Sequence, residues 1–253
     1  NEDIIGHFQR NFDSLNDKIA LIDNEFEKDN QNLSQMFDSL SVPDFGENPM
    51  ATRQAFGLSL DEFAEKFQHI IGGSADLDGS NCTTNFASSY DDFSSSNPKG
   101  RNIAFGVREF PMGAIMNGIA LYGNHFPFGG TFLVFSDYVR SAIRLSAIQK
   151  LHVMYEFTHD SIFVGEDGPT HQPVEHTMSL RNIPNLLVFR PADALETFYC
   201  FKTIMKNQKN PSAILLTRQK LPKLNISEDK IEEGVNKGAY ILHEEDNPDA
   251  ILF

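Results

Sequence analysis

The stretch from Thr158 to His176 reads T-H-D-S-I-F-V-G-E-D-G-P-T-H-Q-P-V-E-H and holds three histidines, four carboxylates, two glycines and two prolines. These are side chains that exchange protons near neutral pH or accept hydrogen bonds from a ligand. His159, Asp167 and His171 fall at spacings that are neither helical nor alternating, so only a loop folded back on itself makes them converge. Gly165, Gly168, Pro169 and Pro173 supply the turns such a loop needs, and a plain solvated loop is the simpler alternative. The stretch follows the apolar run Val153–Phe157, which reads as a buried strand. Open α/β sheets place their ligands beyond the carboxyl ends of strands.

Other polar candidates recur in the same position relative to apolar runs. His69–Gly73 reads as a short strand running into Gly72-Gly-Ser-Ala-Asp-Leu77, and Asp76, Ser80 and Asn81 then either cap a following helix or reach a substrate, capping being the simpler reading. Asn102–Gly106 reads as a second strand leading to a helix over Phe110–Tyr122. Glu109 stands at the start of that helix, where the dipole favours an ionised carboxylate, and its neighbours Phe105, Phe110 and Met112 favour desolvation. Gly129-Gly130 precedes a strand and a helix over Asp137–Leu151, with Phe132, Phe135 and Tyr138 recurring every third residue across the junction. Leu186–Phe189 reads as a strand, Ala192–Lys206 as a helix and Ser212–Thr217 as a strand ending at Arg218. Arg53 sits in the first turn of a helix spanning Met50–Phe67.

Strands separated by helices of about ten to fifteen residues predict βαβ units. The fold class is therefore α/β, a mostly parallel sheet with helices on both faces. Asp76, Ser80, Glu109, Tyr138, His159, Asp167, His171 and Arg218 then share one rim. Before this domain, residues 1–47 carry Ile4, Ile5, Phe8, Phe12, Leu15, Ile19 and Ile22 at three- and four-residue steps, which predicts one or two amphipathic helices broken before Pro43. A helix near Val174–Arg181, an exposed excursion over Ser88–Arg101, and one further strand at Gly238–His243 complete the expected elements.

The 253 residues suffice for a sizeable core in one or two domains. Thirty-five acids against twenty-one bases give a net charge of -14, with no basic cluster to track a phosphate backbone, so nucleic acid is excluded as a partner. Two distant cysteines, Cys82 and Cys200, argue against disulfides or a zinc site and for a reducing, cytoplasmic setting. No run is long enough to span a membrane, and the N-terminal residues carry no signal-peptide pattern. The absence of an initial Met and the apolar ending Asn247–Phe253 lead us to expect a piece of a longer chain.

With these residues in view, the chain resembles transketolase, in the central pyrimidine-binding domain of that thiamine diphosphate enzyme. The matching segments are Ala51-Thr-Arg53, Gly72-Gly-Ser-Ala-Asp-Leu77, Gly106-Val-Arg-Glu-Phe110, Thr131-Phe-Leu-Val-Phe135, Thr158-His-Asp-Ser161, Gly165-Glu-Asp-Gly-Pro-Thr-His-Gln-Pro173, Arg190-Pro-Ala-Asp193 and Thr217-Arg-Gln219. The resemblance implies three regions: residues 1–47 as a helical linker from an N-terminal domain outside this sequence, 48–222 as the pyrimidine-binding domain, and 223–253 as a linker and the start of a C-terminal domain. It also implies roles. Glu109 resembles the glutamate that bonds the N1′ nitrogen of the cofactor's aminopyrimidine, and Phe132, Phe135 and Tyr138 the aromatics that hold the ring. Asp76 is similar to the aspartate near cofactor and substrate. His159, Asp167 and His171 line the substrate channel, with His159 and His171 counted with Glu109 as catalytic, and Arg53, Ser80, His159 and Arg218 bind the sugar phosphate.

The implied activity is transfer of a two-carbon ketol unit from a ketose phosphate to an aldose phosphate in the pentose phosphate pathway, by a homodimer sharing each site between subunits. Magnesium and the diphosphate are bound in the family by a G-D-G…N motif that this sequence lacks, and no metal ligand is expected here. The chain by itself is thus expected to be inactive and to bind the cofactor weakly. Phe163 replaces a usually small residue, and Ser88–Arg101 departs from the family's loop. The alternatives are a non-catalytic dimerisation or interaction domain, and a sister thiamine enzyme such as deoxyxylulose phosphate synthase.

Overall fold

The computed structural model describes residues 33–246, which divide into two units between Ser41 and Val42. In the first unit a short helix covers 33–38. The amphipathic pattern over residues 1–32 lies outside the described residues.

The second unit is built on five parallel strands, β1 (Ile70–Ser74), β2 (Phe126–Phe132), β3 (Met154–Thr158), β4 (Leu187–Phe189) and β5 (Ser212–Leu215), in the order β1-β2-β3-β5-β4. Every residue of β2, β3 and β5 is buried, which explains why these runs are apolar on both faces and do not alternate. The helices are α1 (Thr52–Lys66), α2 (Asp78–Asn81), α3 (Thr84–Tyr90), α4 (Glu109–Tyr122), α5 (Ser136–Gln149), α6 (His176–Arg181), α7 (Ala194–Lys206) and α8 (Glu228–Lys237).

The chain moves from β1 to β2 to β3 in one direction and then returns from β4 to β5. Right-handed crossovers put helices made in opposite directions on opposite faces. Thus α4 packs on α5, whereas α7 packs on α1. On the α4/α5 side, Met112, Met116, Val139, Ile143, Tyr155, Phe157 and Leu215 belong to one apolar cluster. On the other side Phe56, Leu60 and Phe63, spaced at three and four residues, form the buried stripe of α1. Phe63 stacks on Phe201 of α7 at 4.4 Å and 10°.

Three expectations are corrected. Asn102–Gly106 is not a strand: Asn102 makes only isolated bridges to Gly72 and Asp92, and Gly106 then turns the chain into α4 with φ of +67°. Gly129 and Gly130 lie inside β2 instead of ahead of it, because both neighbours press on that strand. A Cβ on Gly129 would stand 2.5 Å from the Met116 sulfur, and one on Gly130 2.4 Å from Glu156 Oε2. Residues 238–243 form no strand either. The polar segment before them folds instead as α8, burying Ile231 and Val235 four residues apart and ending at Gly238 with φ of +83°. Tyr240 then packs on Gly234, where a Cβ would stand 2.2 Å from its ring. The excursion over Ser88–Arg101 begins inside α3, and Arg101 closes it by placing its guanidinium 3.5 Å from the centre of the Tyr90 ring.

Candidate functional site

The rim forms where β1, β2, β3 and β5 end on the same edge of the sheet, as parallel strands must. At the exit of β2, Phe132, Phe135 and Tyr138 make a ladder: Phe132 stacks on Phe135 at 5.8 Å and 5°, and Phe135 on Tyr138 at 5.8 Å and 27°. A 3₁₀ turn over Leu133–Phe135 converts the three-residue spacing into a common face. Tyr138, 65% exposed, is the open end. At the closed end His159, at the exit of β3, stacks on Phe132 with ring centres 3.8 Å apart.

His159 adopts a φ of +57°, a conformation costly for a residue with a Cβ and one that aims its ring back over β2. Its protonation is set by a hydrogen-bond relay. Ser74 at the end of β1 donates to the Gly130 carbonyl (3.4 Å) and accepts from the Asn81 amide (2.9 Å). The Asn81 carbonyl accepts the Thr158 hydroxyl proton (2.7 Å). Thr158, its proton used, accepts from Nδ1 of His159 at 3.0 Å, so the ring carries its proton on Nδ1 and presents a bare Nε2. Burial holds the imidazole neutral, lowering its pKa to about 4; the charges of Arg53, Arg218 and His171 act the same way, and Asp167 opposes them.

The Thr158–His176 loop folds back through two 3₁₀ turns, Gly165–Asp167 and Pro169–His171, each led by a glycine of positive φ or a proline. Asp167 Oδ2 thereby comes within 3.9 Å of His159 Nε2 and 3.8 Å of Arg218 Nε. His171 stands edge-on to Phe132 and Phe135 at 6.1 and 5.4 Å. One continuous surface thus runs from Tyr138 through Phe135, Phe132, His159 and Asp167 to Arg218, with His171 against its aromatic half. Phe163, on the same loop, is 65% exposed.

Glu109 opens α4 and is buried, its Oε1 accepting from the Thr131 hydroxyl of β2 at 3.3 Å, one residue from Phe132. Arg53 is held by the staple at the start of α1. The Thr52 amide donates to Thr217 Oγ1 (3.0 Å) and the Thr217 amide to Thr52 Oγ1 (2.7 Å), so α1 begins where β5 ends. Arg53 donates from Nη1 to the Ser80 carbonyl at 2.7 Å, which makes the backbone of Ser80 its contribution. Asp76 stands exposed at a φ of +62°.

The capping alternative for the β1 exit is overturned. Neither Leu77 nor Thr83, which precede α2 and α3, makes a side-chain cap, and Asn81 is wholly buried in the relay. Sequence reasoning missed that relay, along with Glu156. The signal for Glu156 was available, a carboxylate between Tyr155 and Phe157 in a strand buried on both faces. Among the described residues, Asp137, Glu175 and His176 also bring one donor atom each within 4.8 Å. There the His176 ring lies between two exposed carboxylates, Nε2 at 3.2 Å from Asp137 and Nδ1 at 3.8 Å from Glu175.

Residues 48–223 match the family described as transketolase, pyrimidine binding domain. The transketolase of Aquifex aeolicus is 48% identical over 212 residues, covering 83% of this chain and 30% of that protein. That of Bacillus subtilis is 50% identical over 205 residues, covering 80% and 30%. A crystal structure of the Pichia stipitis transketolase in complex with sedoheptulose 7-phosphate superposes with a TM-score of 0.77 at 41% identity, over 85% of this chain and 32% of that one. The chain therefore spans about a third of the length of these relatives, and through its pyrimidine-binding domain it belongs to the transketolase family.

Proposed function

We propose that this chain forms the pyrimidine side and the sugar-handling side of a thiamine diphosphate site, in an enzyme that moves a two-carbon ketol unit from a ketose phosphate to an aldose phosphate. The observation that carries the reading is the continuous surface from Tyr138 to Arg218, joining an aromatic ladder to a neutral histidine, a carboxylate and an arginine. The residues fit an aminopyrimidine. Phe135 and the exposed Tyr138 offer ring faces for stacking, and the buried Glu109 keeps a carboxylate oxygen beyond the one bonded to Thr131.

Thiamine diphosphate, when bound, supplies the electron sink for breaking and making the carbon–carbon bond. The chain's own residues do the rest. Glu109, buried at the start of α4, would hydrogen-bond a nitrogen of the aminopyrimidine ring. His159, with Nε2 bare, accepts a proton or hydrogen bond from a sugar hydroxyl, and His171 polarises a second oxygen. Asp167 accepts from a hydroxyl. Arg53 and Arg218 take the phosphate end, as guanidinium forks match phosphate oxygens. In this assignment Asp76 serves the cofactor end of the site, and the Ser80 carbonyl holds Arg53.

In this reading magnesium and the diphosphate are bound outside the described residues, the active form is a homodimer, and the enzyme works in a reducing cytoplasm. Both cysteines are free, and no helix among the described residues is long and apolar enough to cross a membrane. A non-catalytic interaction domain has no need of Glu109 buried or of His159 held in a strained, proton-ordered state. The assay is formation of sedoheptulose 7-phosphate from xylulose 5-phosphate and ribose 5-phosphate by the protein that carries this domain. The expected product appears only when thiamine diphosphate and magnesium are both supplied; no product under those conditions would refute the assignment.

A further inference from the structure

Two carboxylates flank the His176 ring where the start of α5 meets the start of α6. Asp137 lies in the first turn of α5 and Glu175 immediately precedes α6, and each alone is an ordinary charge at a helix N-terminus. The imidazole between them sets the place apart. His176 is 4% exposed, whereas both carboxylates face solvent. Its Nε2 stands 3.2 Å from Asp137 Oδ2, and a carboxylate accepts but does not donate, so Nε2 carries the ring proton. Nδ1 is then bare. It is buried, finds no hydrogen-bond partner among the described residues, and faces Glu175 Oε2 at 3.8 Å. A lone pair and a carboxylate oxygen in opposition repel unless something positive lies between them.

The arrangement is braced from beside. Arg140, one turn along α5, donates from Nη1 to the Ser179 hydroxyl at 2.8 Å and from Nη2 to the Ser179 carbonyl at 3.1 Å. The Ser179 hydroxyl in turn donates to the His176 carbonyl at 3.0 Å. The two helices are thus joined next to the ring, and the placing of Asp137 against His176 does not depend on their own hydrogen bond. Arg140 spends these bonds on neutral groups, so its charge remains and tempers the pull of the two carboxylates on a cation. The nitrogen donor decides which cation fits. Magnesium and calcium take oxygen ligands, whereas imidazole suits borderline ions such as zinc.

We propose that His176 Nδ1 and the Glu175 carboxylate bind one borderline divalent cation of the zinc class, with Asp137 orienting the imidazole through its Nε2–H. In such a carboxylate–histidine–metal arrangement the carboxylate fixes the tautomer and raises the basicity of the ligating nitrogen. Water completes the coordination, and Asp137 adds its charge from an oxygen within 4.8 Å of the other donor atoms. The bound ion ties the end of the Thr158–His176 loop to the turn that carries Tyr138, the residue after Asp137. It is a tether and takes no part in ketol transfer, so the inference stands independently of that assignment. Asp137 and His176 are 39 positions apart, a separation at which the sequence alone points to no metal ligand.

Calorimetric titration of zinc into the full chain, with magnesium in excess, should show a site for one ion, and nitrogen-15 NMR should show His176 Nδ1 shifting as zinc is added. Asp137→Asn and Glu175→Gln alter exposed side chains and leave the fold intact; each should weaken zinc binding about 10–100-fold. His243→Gln, at the exposed His243–Glu245 pair, should leave this site unchanged. Zinc should also raise the thermal unfolding midpoint of the wild type more than that of Glu175→Gln. The proposal is overturned if the wild type binds no zinc, if magnesium displaces it, or if both carboxylate variants bind zinc as tightly as the wild type. It is equally overturned if NMR shows the His176 ring protonated on both nitrogens and unmoved by zinc, the state of a plain bridge between two carboxylates.

Discussion

At His159 the position of one proton follows from four neighbours, and that proton decides what the ring can do. The relay from the Gly130 carbonyl through Ser74, Asn81 and Thr158 leaves Nε2 as an acceptor facing Asp167. Nitrogen-15 NMR of the histidine side chains should show the Nδ1–H tautomer for His159, with titration only near pH 4. An Nε2–H tautomer, or titration near 6.5, would break the relay argument. Asn81→Ala, which leaves the buried Thr158 hydroxyl without its acceptor and removes one donor to Ser74, should cost about 1–3 kcal/mol in urea unfolding and yield a mixture of tautomers. Little of this was legible in the sequence. Asn81 and Thr158 stand 77 positions apart, and nothing local distinguishes a relay from a cap. His159, Asp167 and His171 were legible as a converging set because their spacing rules out a single element, and the folded loop does bring them to the same surface.

At the scale of elements, the site depends on where α1 begins. Thr52 and Thr217 bond each other reciprocally, and this staple places Arg53 and Arg218 at adjoining strand and helix ends. Thr217→Val removes the hydroxyl that accepts the Thr52 amide in a buried setting. It should cost about 1–3 kcal/mol in urea unfolding; an unchanged midpoint would mean the staple is dispensable. Phe63 anchors the other end of α1, stacked on Phe201 and tilted against Phe198 at 5.4 Å. Phe63→Ala should destabilise by about 3–5 kcal/mol, with loss below 1 kcal/mol contradicting the packing described. The alternation of strands and helices was readable because parallel strands are apolar on both faces and their helices are long enough to show a 3.6-residue period. The errors have a common origin. Asn102–Gly106 and Gly238–His243 look like strands locally, yet the first bridges its neighbours only at Asn102 and the second pairs with no strand among the described residues, and the Gly129-Gly130 pair looked like a turn until Met116 and Glu156 were seen pressing on it.

For the whole molecule, acid should be destabilising in a defined window. His152, half-buried and bonded through Nε2 to the Ile204 carbonyl, is lowered to about 4 chiefly by desolvation, as His159 is. Both are bases whose folded pKa lies below the unfolded value near 6.5, so the unfolded chain binds protons that the folded one refuses. Stability is full above about pH 6.5 and falls as the pH drops from there toward 4, beyond which these two groups add no further loss. Thermal unfolding at pH 7.5, 5.5 and 4.5 should show a falling midpoint, and replacing His152 with Gln should shallow the slope; a midpoint independent of pH across that range would contradict it. Sheet order, unlike sheet type, was not legible, since nothing in the strands themselves says that β5 inserts between β3 and β4. That insertion is what sets Arg218 beside Asp167.

The central claim is that this chain supplies the group that handles a proton on the cofactor's pyrimidine, and that this group is Glu109. The most direct measurement is the rate of sedoheptulose 7-phosphate formation by the enzyme carrying Glu109→Ala, under saturating substrates, thiamine diphosphate and magnesium. The account predicts a fall in kcat of at least about 100-fold, the scale of a lost proton-transfer group. A kcat within a few fold of the wild type would contradict it.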